Sequence, residues 1–314
     1  RIKREHSLYG EILSLFEDDL TEQGEGDFLD IRNGDYDALL PIPYWSWIDK
    51  KSEVVNLLSK YREENELAFT WPLIKNCLED CQAFITGNGV EILPYHIPIR
   101  SFGSFANANQ RILMSATTQD DSFFIKGLGF DINAIKNPLI NTEQKWSGEK
   151  MILIPSLIDD SLDRDLIVST FAKPNTKLHF GRVAIVPSHR RSEQYYVLGS
   201  TISGTKNIFT LISDLKAGNI EKTLVIINRY DGIDLPDESC RLLIIDSMPY
   251  FNSLVDRYEE QCRVNSDIIN IRLAQRIEQG LGRSVRGEKD YSVILLIGAD
   301  LVKFIRSTRT SRYF

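Results

Sequence analysis

The second half of the chain alternates short, unbroken apolar runs with stretches of helical period. The runs are Arg182-Val-Ala-Ile-Val186, Thr223-Leu-Val-Ile-Ile227, Arg241-Leu-Leu-Ile-Ile245 and Tyr291-Ser-Val-Ile-Leu-Leu-Ile297. Each is too short for an ordinary helix and shows no polar alternation, the pattern of a strand covered on both faces. Ile208 to Lys216, Phe251 to Val264 and Ile268 to about Gly280 have helical spacing, and Gly218-Asn219 follows the first of them. Strand and helix in alternation predict an α/β fold with one mostly parallel sheet. Ligands of such folds sit beyond the carboxyl ends of the strands. The polar loops after Ile227 and after the Ile268 helix are therefore the places to look.

The first half is less regular. Leu13, Leu15, Phe16 and Leu20 predict one face of a short helix, and Ser52 to Tyr61 an amphipathic helix capped by Ser52. Leu73 to Cys81 reads as more helix, and Pro41 to Trp47 as an aromatic loop between prolines. Gly87-Asn88-Gly89 between Gln82–Thr86 and Val90–Leu93 predicts a hairpin. Arg111-Ile-Leu-Met-Ser-Ala-Thr117 predicts a buried strand ending in a polar loop, and Phe123 to Gly129 a single helical turn. Pro138 and Pro155 among polar residues suggest a connection. The resulting division is 1–145, a linker over 146–160, and 161–314.

Composition narrows the classes. The chain has 314 residues, 42% hydrophobic and 26% charged, which suits a globular protein and excludes a disordered or collagen-like one. No apolar run is long enough to cross a membrane, and the charged start, Arg1-Ile-Lys-Arg-Glu-His6, is not a signal peptide. Without an initiating methionine, it reads as part of a longer protein. The net charge of −7 argues against a general nucleic-acid coat but not against a local groove. Seven acids and no base lie between Glu17 and Asp30, which predicts a solvated loop or insertion. Cys77, Cys81, Cys240 and Cys262 form no CxxC, and the four histidines make no cluster. We expect reduced, mostly buried thiols and no metal site.

Two loops of the second half carry chemistry. Asn228-Arg-Tyr-Asp-Gly-Ile-Asp-Leu-Pro236 places Asp231, Gly232 and Asp234 directly after a strand. A plain turn has the same composition. In Gln279-Gly-Leu-Gly-Arg-Ser-Val-Arg286, the two arginines are three apart and share a helix face. Gly280 and Gly282 let backbone approach another surface. Paired guanidiniums suit a phosphate, although two surface arginines would look alike.

The pattern Gln279-x-x-Gly282-Arg283-x-x-Arg286 resembles the last motif of the superfamily 2 helicases, the DEAD/DEAH-box group. Tyr230-Asp-Gly-Ile-Asp-Leu-Pro236 is similar to the motif before it, in the form found in the DNA-repair and damage-inducible branch. Ser115-Ala-Thr117 resembles the motif linking the two motor domains. Arg182-Val-Ala-Ile-Val-Pro-Ser188 resembles the strand that opens the second domain. The four occur in family order and cover roughly 80–314, while 1–79 match poorly.

The resemblance implies a second RecA-like helicase domain behind the remnant of a first one with a helical or irregular insertion. It implies a catalytic set of Gln279, Arg283 and Arg286, with one arginine as the finger. Gly232, Asp234 and Gly282 would approach the nucleotide, Ser188 and His189 the nucleic-acid backbone, and Ser115 and Thr117 would couple the two. ATP and Mg2+ would be the cofactors of the intact parent, and DNA or RNA its partner. The expected location is cytoplasmic, nucleoid or nuclear, with no membrane. The sequence departs from the family in lacking both Gly-x-x-x-x-Gly-Lys-Ser/Thr and an acidic Asp-Glu box. Only Cys77 and Cys81 lie where the repair branch carries four cluster cysteines, so no iron–sulphur cluster is expected. The expectation is a carboxyl-terminal part that needs an amino-terminal motor segment, holds no cofactor tightly and is inactive alone. The alternative is a non-enzymatic module that binds nucleic acid or a partner protein.

Overall fold

The computed structural model describes residues 1–114, 122–139, 148–204, 206–263, 266–285 and 287–314. It divides into one unit of Arg1–Leu139 with Phe251–Val264, and another of Ile140–Tyr250 with Asn265–Phe314.

The first unit is built on a four-stranded antiparallel sheet. Its strands are β1 (Ile2–Lys3), β2 (Leu39–Pro41), β3 (Cys81–Thr86) and β4 (Gly89–Pro94), in the order β1-β4-β3-β2. The predicted hairpin is β3–β4, with Thr86 paired to Gly89. Gly87 in its turn admits no side chain, because a Cβ would lie 2.2 Å from the Asp35 carbonyl oxygen. The predicted face of Leu13, Leu15, Phe16 and Leu20 is divided: the helix Ser7–Leu15 ends at Phe16 and Leu20 lies in the next helix, and Leu8, Ile12, Phe16, Leu20 and Ile85 meet in the core.

The acidic stretch is not a solvated loop. It forms the helices Glu17–Gln23 and Glu25–Asn33, which bury Leu20, Phe28 and Ile31 and leave their acids outward. Acids crowd the first turn of each, where the helix dipole favours them. Gly34, at φ +91°, ends the second. The aromatic loop is likewise ordered: Tyr44–Asp49 is helical, and the buried Trp47 donates its indole N–H to the Leu78 carbonyl at 2.7 Å. The helix Lys51–Lys60 starts before Ser52, which therefore does not cap it. The expected helix over 73–81 stops at Ile74, because Cys81 begins β3. The described part of the expected strand at 111–117 is exposed and irregular, with Met114 93% accessible. An apolar run without a neighbouring strand has no ladder to join, and neither sheet supplies one to Arg111–Met114.

The helix Leu254–Cys262 belongs to this unit although it lies late in sequence. Leu254 packs on Leu39 and Phe84. Glu91 accepts from the Ser253 hydroxyl at 2.8 Å and the Leu254 N–H at 3.0 Å, capping the helix start.

The second unit is a six-stranded sheet in which every pairing is parallel. Its strands are β5 (Glu149–Leu153), β6 (Arg182–Val186), β7 (Thr201–Ile202), β8 (Leu224–Ile227), β9 (Leu242–Asp246) and β10 (Tyr291–Ile297). Their order is β5-β10-β9-β6-β8-β7. The four predicted runs are β6, β8, β9 and β10. The other two form the edges, and β5 falls within the stretch read as a connection. Val183, Ile185, Leu243 and Ile245 face the helices Ile208–Lys216, Asp267–Leu281 and Ala299–Arg306. Ala184, Val186, Val225 and Ile244 face Arg164–Phe171 and His189–Val197. Successive residues of a strand point to opposite faces, so two helical layers require continuous apolar strands. Burying each such side chain stabilises the unit by about 1.5–3 kcal/mol. This is the second RecA-like domain, an α/β sheet whose carboxyl edge is lined by Ser188, Asn228, Ser247 and Gly298.

Candidate functional site at the carboxyl edge of the parallel sheet

The loop after β8 is short of regular structure but well anchored. Ile233 and Leu235 are buried, while Gly232 and Asp234 between and beside them are exposed. Gly232 adopts φ +66°, a conformation that suits glycine. The Asp234 carboxylate lies 4.0 Å from Lys216 Nζ. Tyr230 is buried against the helix Asp267–Leu281. A Cβ on Gly280 would sit 3.0 Å from its ring and 3.2 Å from Ile245, so this helix approaches only because residue 280 is glycine. Burial also pushes the Tyr230 hydroxyl well above its ordinary range, with Asp246 acting in the same direction.

Arg283 follows that helix by one residue beyond its cap, Gly282. Its Nε donates to the Tyr230 carbonyl at 2.8 Å and to the Gln279 carbonyl at 2.9 Å, and its Nη1 to the Ile233 carbonyl at 3.1 Å. In return the Leu235 N–H donates to the Arg283 carbonyl at 3.2 Å. Gln279, Gly282 and Arg283 are thus held against the loop that carries Gly232 and Asp234. Gly282 makes no close approach to another surface; its nearest neighbours are carbonyls of its own helix. Ser115, Thr117 and Arg286 lie outside the described residues.

Ser188 and His189 stand at the end of β6. The Ser188 Oγ accepts from the Arg191 N–H at 3.4 Å and caps the helix His189–Val197. His189, Arg190 and Arg191 are exposed at its first turn. They are on the same edge of the sheet as the Asn228 loop, since β6 pairs with β8.

A second cluster on this edge was not among the residues singled out in the sequence. Asp246 closes β9 and is fully buried. Arg164 clamps it with Nε and Nη2, each 2.7 Å from one carboxylate oxygen. The Ser247 hydroxyl donates to Asp246 at 2.9 Å and the Tyr195 hydroxyl at 3.2 Å. Arg164 also donates to Gln194 at 2.6 Å. Burial raises the Tyr195 hydroxyl well above its usual value, and the adjacent Asp246 carboxylate adds to the effect. Ser247 sits at φ +71° and Asn228 at φ +45°, both left-handed. Backbone of this kind gathers at functional sites. The sequence signal for Asp246 was an acid ending an apolar run; nothing local marks Arg164.

Among the described residues, the one group spaced for a metal is His6, Glu64 and Glu66, in the first unit. His6 Nδ1 already accepts the Leu8 N–H at 3.1 Å. With Nδ1 engaged as an acceptor, the Nε2 that faces Glu64 at 2.6 Å is the hydrogen-bearing nitrogen, an arrangement unsuited to a metal ligand. At the sheet edge the Arg283 and Arg164 guanidiniums are taken by carbonyls and by Asp246, while Arg190 and Arg191 are exposed.

Comparison with known proteins gives three findings. Residues 188–304 match the family described as helicase C-terminal domain. A protein of Dictyostelium discoideum named "Probable asparagine--tRNA ligase, mitochondrial" is 27% identical over 252 residues, 79% of this chain and 51% of that protein. A solved structure named "XPD_Helicase" superposes with a TM-score of 0.50 at 16% identity, covering 74% of this chain and 46% of the other. The last is a likeness of fold. The chain spans about half the length of each.

Proposed function

We propose that this chain, whose residues 188–304 match the helicase C-terminal domain family, is the carboxyl-terminal portion of an ATP-dependent helicase or translocase acting on DNA or RNA. The observation that carries the reading is the pairing of two motif loops inside the matched span. Arg283, in Gln279-x-x-Gly282-Arg283-x-x-Arg286, fastens to the loop that carries Gly232 and Asp234, at the edge of a parallel sheet where ligands of such folds bind.

In this reading the ligand is ATP with Mg2+. The lysine that grips the phosphates and the acids that hold the metal come from another segment of the motor. Gly232, Asp234, Gly282 and Gln279 border the nucleotide, and an arginine of the pair Arg283 and Arg286 faces the transferring phosphoryl group. Charge grows on that group in the transition state, and a fixed guanidinium stabilises it. Ser188, His189 and the exposed Arg190 and Arg191 track the phosphate backbone of the nucleic acid, whose contacts position the strand without reading sequence. Ser115 and Thr117 couple the two sites. The first unit is the end of the first motor domain, and the protein works in the cytoplasm, nucleoid or nucleus. The ligase name of the Dictyostelium protein assigns no residue of this site.

The test is ATP turnover by the full-length protein, with and without single-stranded nucleic acid, beside the same assay on residues 1–314 alone. Nucleic-acid-stimulated turnover by the full-length protein and none by the isolated chain are expected. Absence of turnover in both leaves a non-enzymatic binding module as the function.

A further inference from the structure

We propose that Arg283 is a positioning residue: it braces the Tyr230–Leu235 loop against the end of the Asp267–Leu281 helix and is not the guanidinium that reaches phosphate. Resting on the ATP-motor reading, this assigns the two arginines of one motif to different tasks.

Arg283 spends its Nε on two carbonyls, those of Tyr230 and Gln279, and its Nη1 on a third, that of Ile233. The acceptors span both ends of the loop and the last turn of the helix. Its main chain completes the link by accepting the Leu235 N–H. One residue therefore holds Tyr230, Ile233 and Leu235, while the two ligand-facing positions between them, Gly232 and Asp234, remain exposed. The loop has no ladder or helix of its own over 230–235. Arg283 supplies the hydrogen bonds that regular structure would otherwise give. Turning Nε and Nη1 toward a phosphate would desert all three carbonyls, and at a half-buried site water replaces such bonds poorly. The fork is also specific. Two nitrogens set at a fixed angle serve carbonyls three residues apart, whereas a lysine offers one point of charge. Tyr230, wedged against Gly280, fixes the other side of the same loop. Arg283 thus acts on a nucleotide through the placement of Gly232 and Asp234.

Three variants and two readouts test this. In residues 1–314, Arg283→Lys and Arg283→Ala are compared by amide hydrogen exchange. Exchange in 230–236 is expected to rise about tenfold or more in both, with β6 and β9 unchanged, as for a locally opened segment. Unchanged exchange in the loop overturns the proposal. Should Arg283→Ala fail to fold, Arg283→Lys carries the test.

In the full-length motor, Arg283→Lys is expected to raise KM for ATP about tenfold and to change kcat by less than about threefold. Gly280→Ala, which displaces Tyr230 and leaves Arg283 intact, is expected to reproduce that KM rise. A fall of about 10³ in kcat at unchanged KM, with the loop exchange unaltered, makes Arg283 the finger and contradicts the brace. If the unsubstituted full-length protein hydrolyses no ATP, the motor reading fails, while the exchange comparison still decides whether Arg283 braces the loop.

Discussion

The Arg164–Asp246 pair concentrates the strongest electrostatics of the parallel-sheet unit in one buried contact. A carboxylate with no exposure is stable only because four donors surround it: two from Arg164, one from Tyr195 and one from Ser247. Asp246→Ala removes the buried carboxylate from Arg164 and leaves it Gln194 and the exposed Asp165, and we expect a loss of about 3 kcal/mol in urea unfolding. Arg164→Met combined with Asp246→Leu is expected to recover most of it, because no buried charge remains. At the same scale, burial pushes the Cys81 thiol up to about 12 and leaves Cys262 exposed. A thiol with that value is ionised to roughly one part in ten thousand at pH 8. A thiol-reactive dye at pH 8 should therefore titrate Cys262 rapidly and reach Cys81 and Cys240 only after denaturation. The linkage follows in sign. The unfolded Cys81 loses its proton near its ordinary value of 9.0, before the folded one does, so stability falls as pH rises from about 9 to about 12. These residues also mark where the sequence is mute. Asp246 is visible as an acid ending an apolar run, but its partner stands 82 positions away. Arg283 is visible by its motif, yet its three carbonyl partners depend on how a loop closes.

Among the elements, legibility tracks burial. The strands β6, β8, β9 and β10 were readable because helices cover both of their faces, so their central positions are apolar. The edge strands were not: β5 is exposed along nearly its whole length and β7 has two residues, so neither needs an apolar run. The hairpin β3–β4 was readable from Gly87-Asn88, whose turn chemistry is local. The acidic stretch misled for the opposite reason. Seven acids obscure Leu20, Phe28 and Ile31, which are few but face the core. Phe28→Ala is accordingly expected to cost about 3–5 kcal/mol in stability, as for a buried ring. Glu22→Ala, on the outer face, should change stability by under about 0.5 kcal/mol. Equal and small effects of the two would return this segment to a loop. Glu91, which caps the helix Leu254–Cys262, gives a further element-scale check. Glu91→Ala is expected to speed amide exchange at the start of that helix, with a loss near 1 kcal/mol.

For the whole molecule, the parallel sheet supplies a platform on which two motif loops meet, within the span that matches the helicase C-terminal domain family. The chain spans about half the length of its relatives, so the proposed activity is tested on the full-length protein. The α/β class was legible in the sequence because periodicity and strand burial agree. The loop pairing at the site was legible only through a motif, because hydrogen bonds between positions 230 and 283 leave no periodic trace. The most direct measurement is steady-state ATP turnover of the full-length protein on single-stranded nucleic acid, with the native sequence and with Arg286→Ala. The account predicts nucleic-acid-stimulated turnover that falls by about 10³ in the variant, the scale of a lost arginine finger. Turnover that is absent in the native protein, or equal in the two, contradicts it.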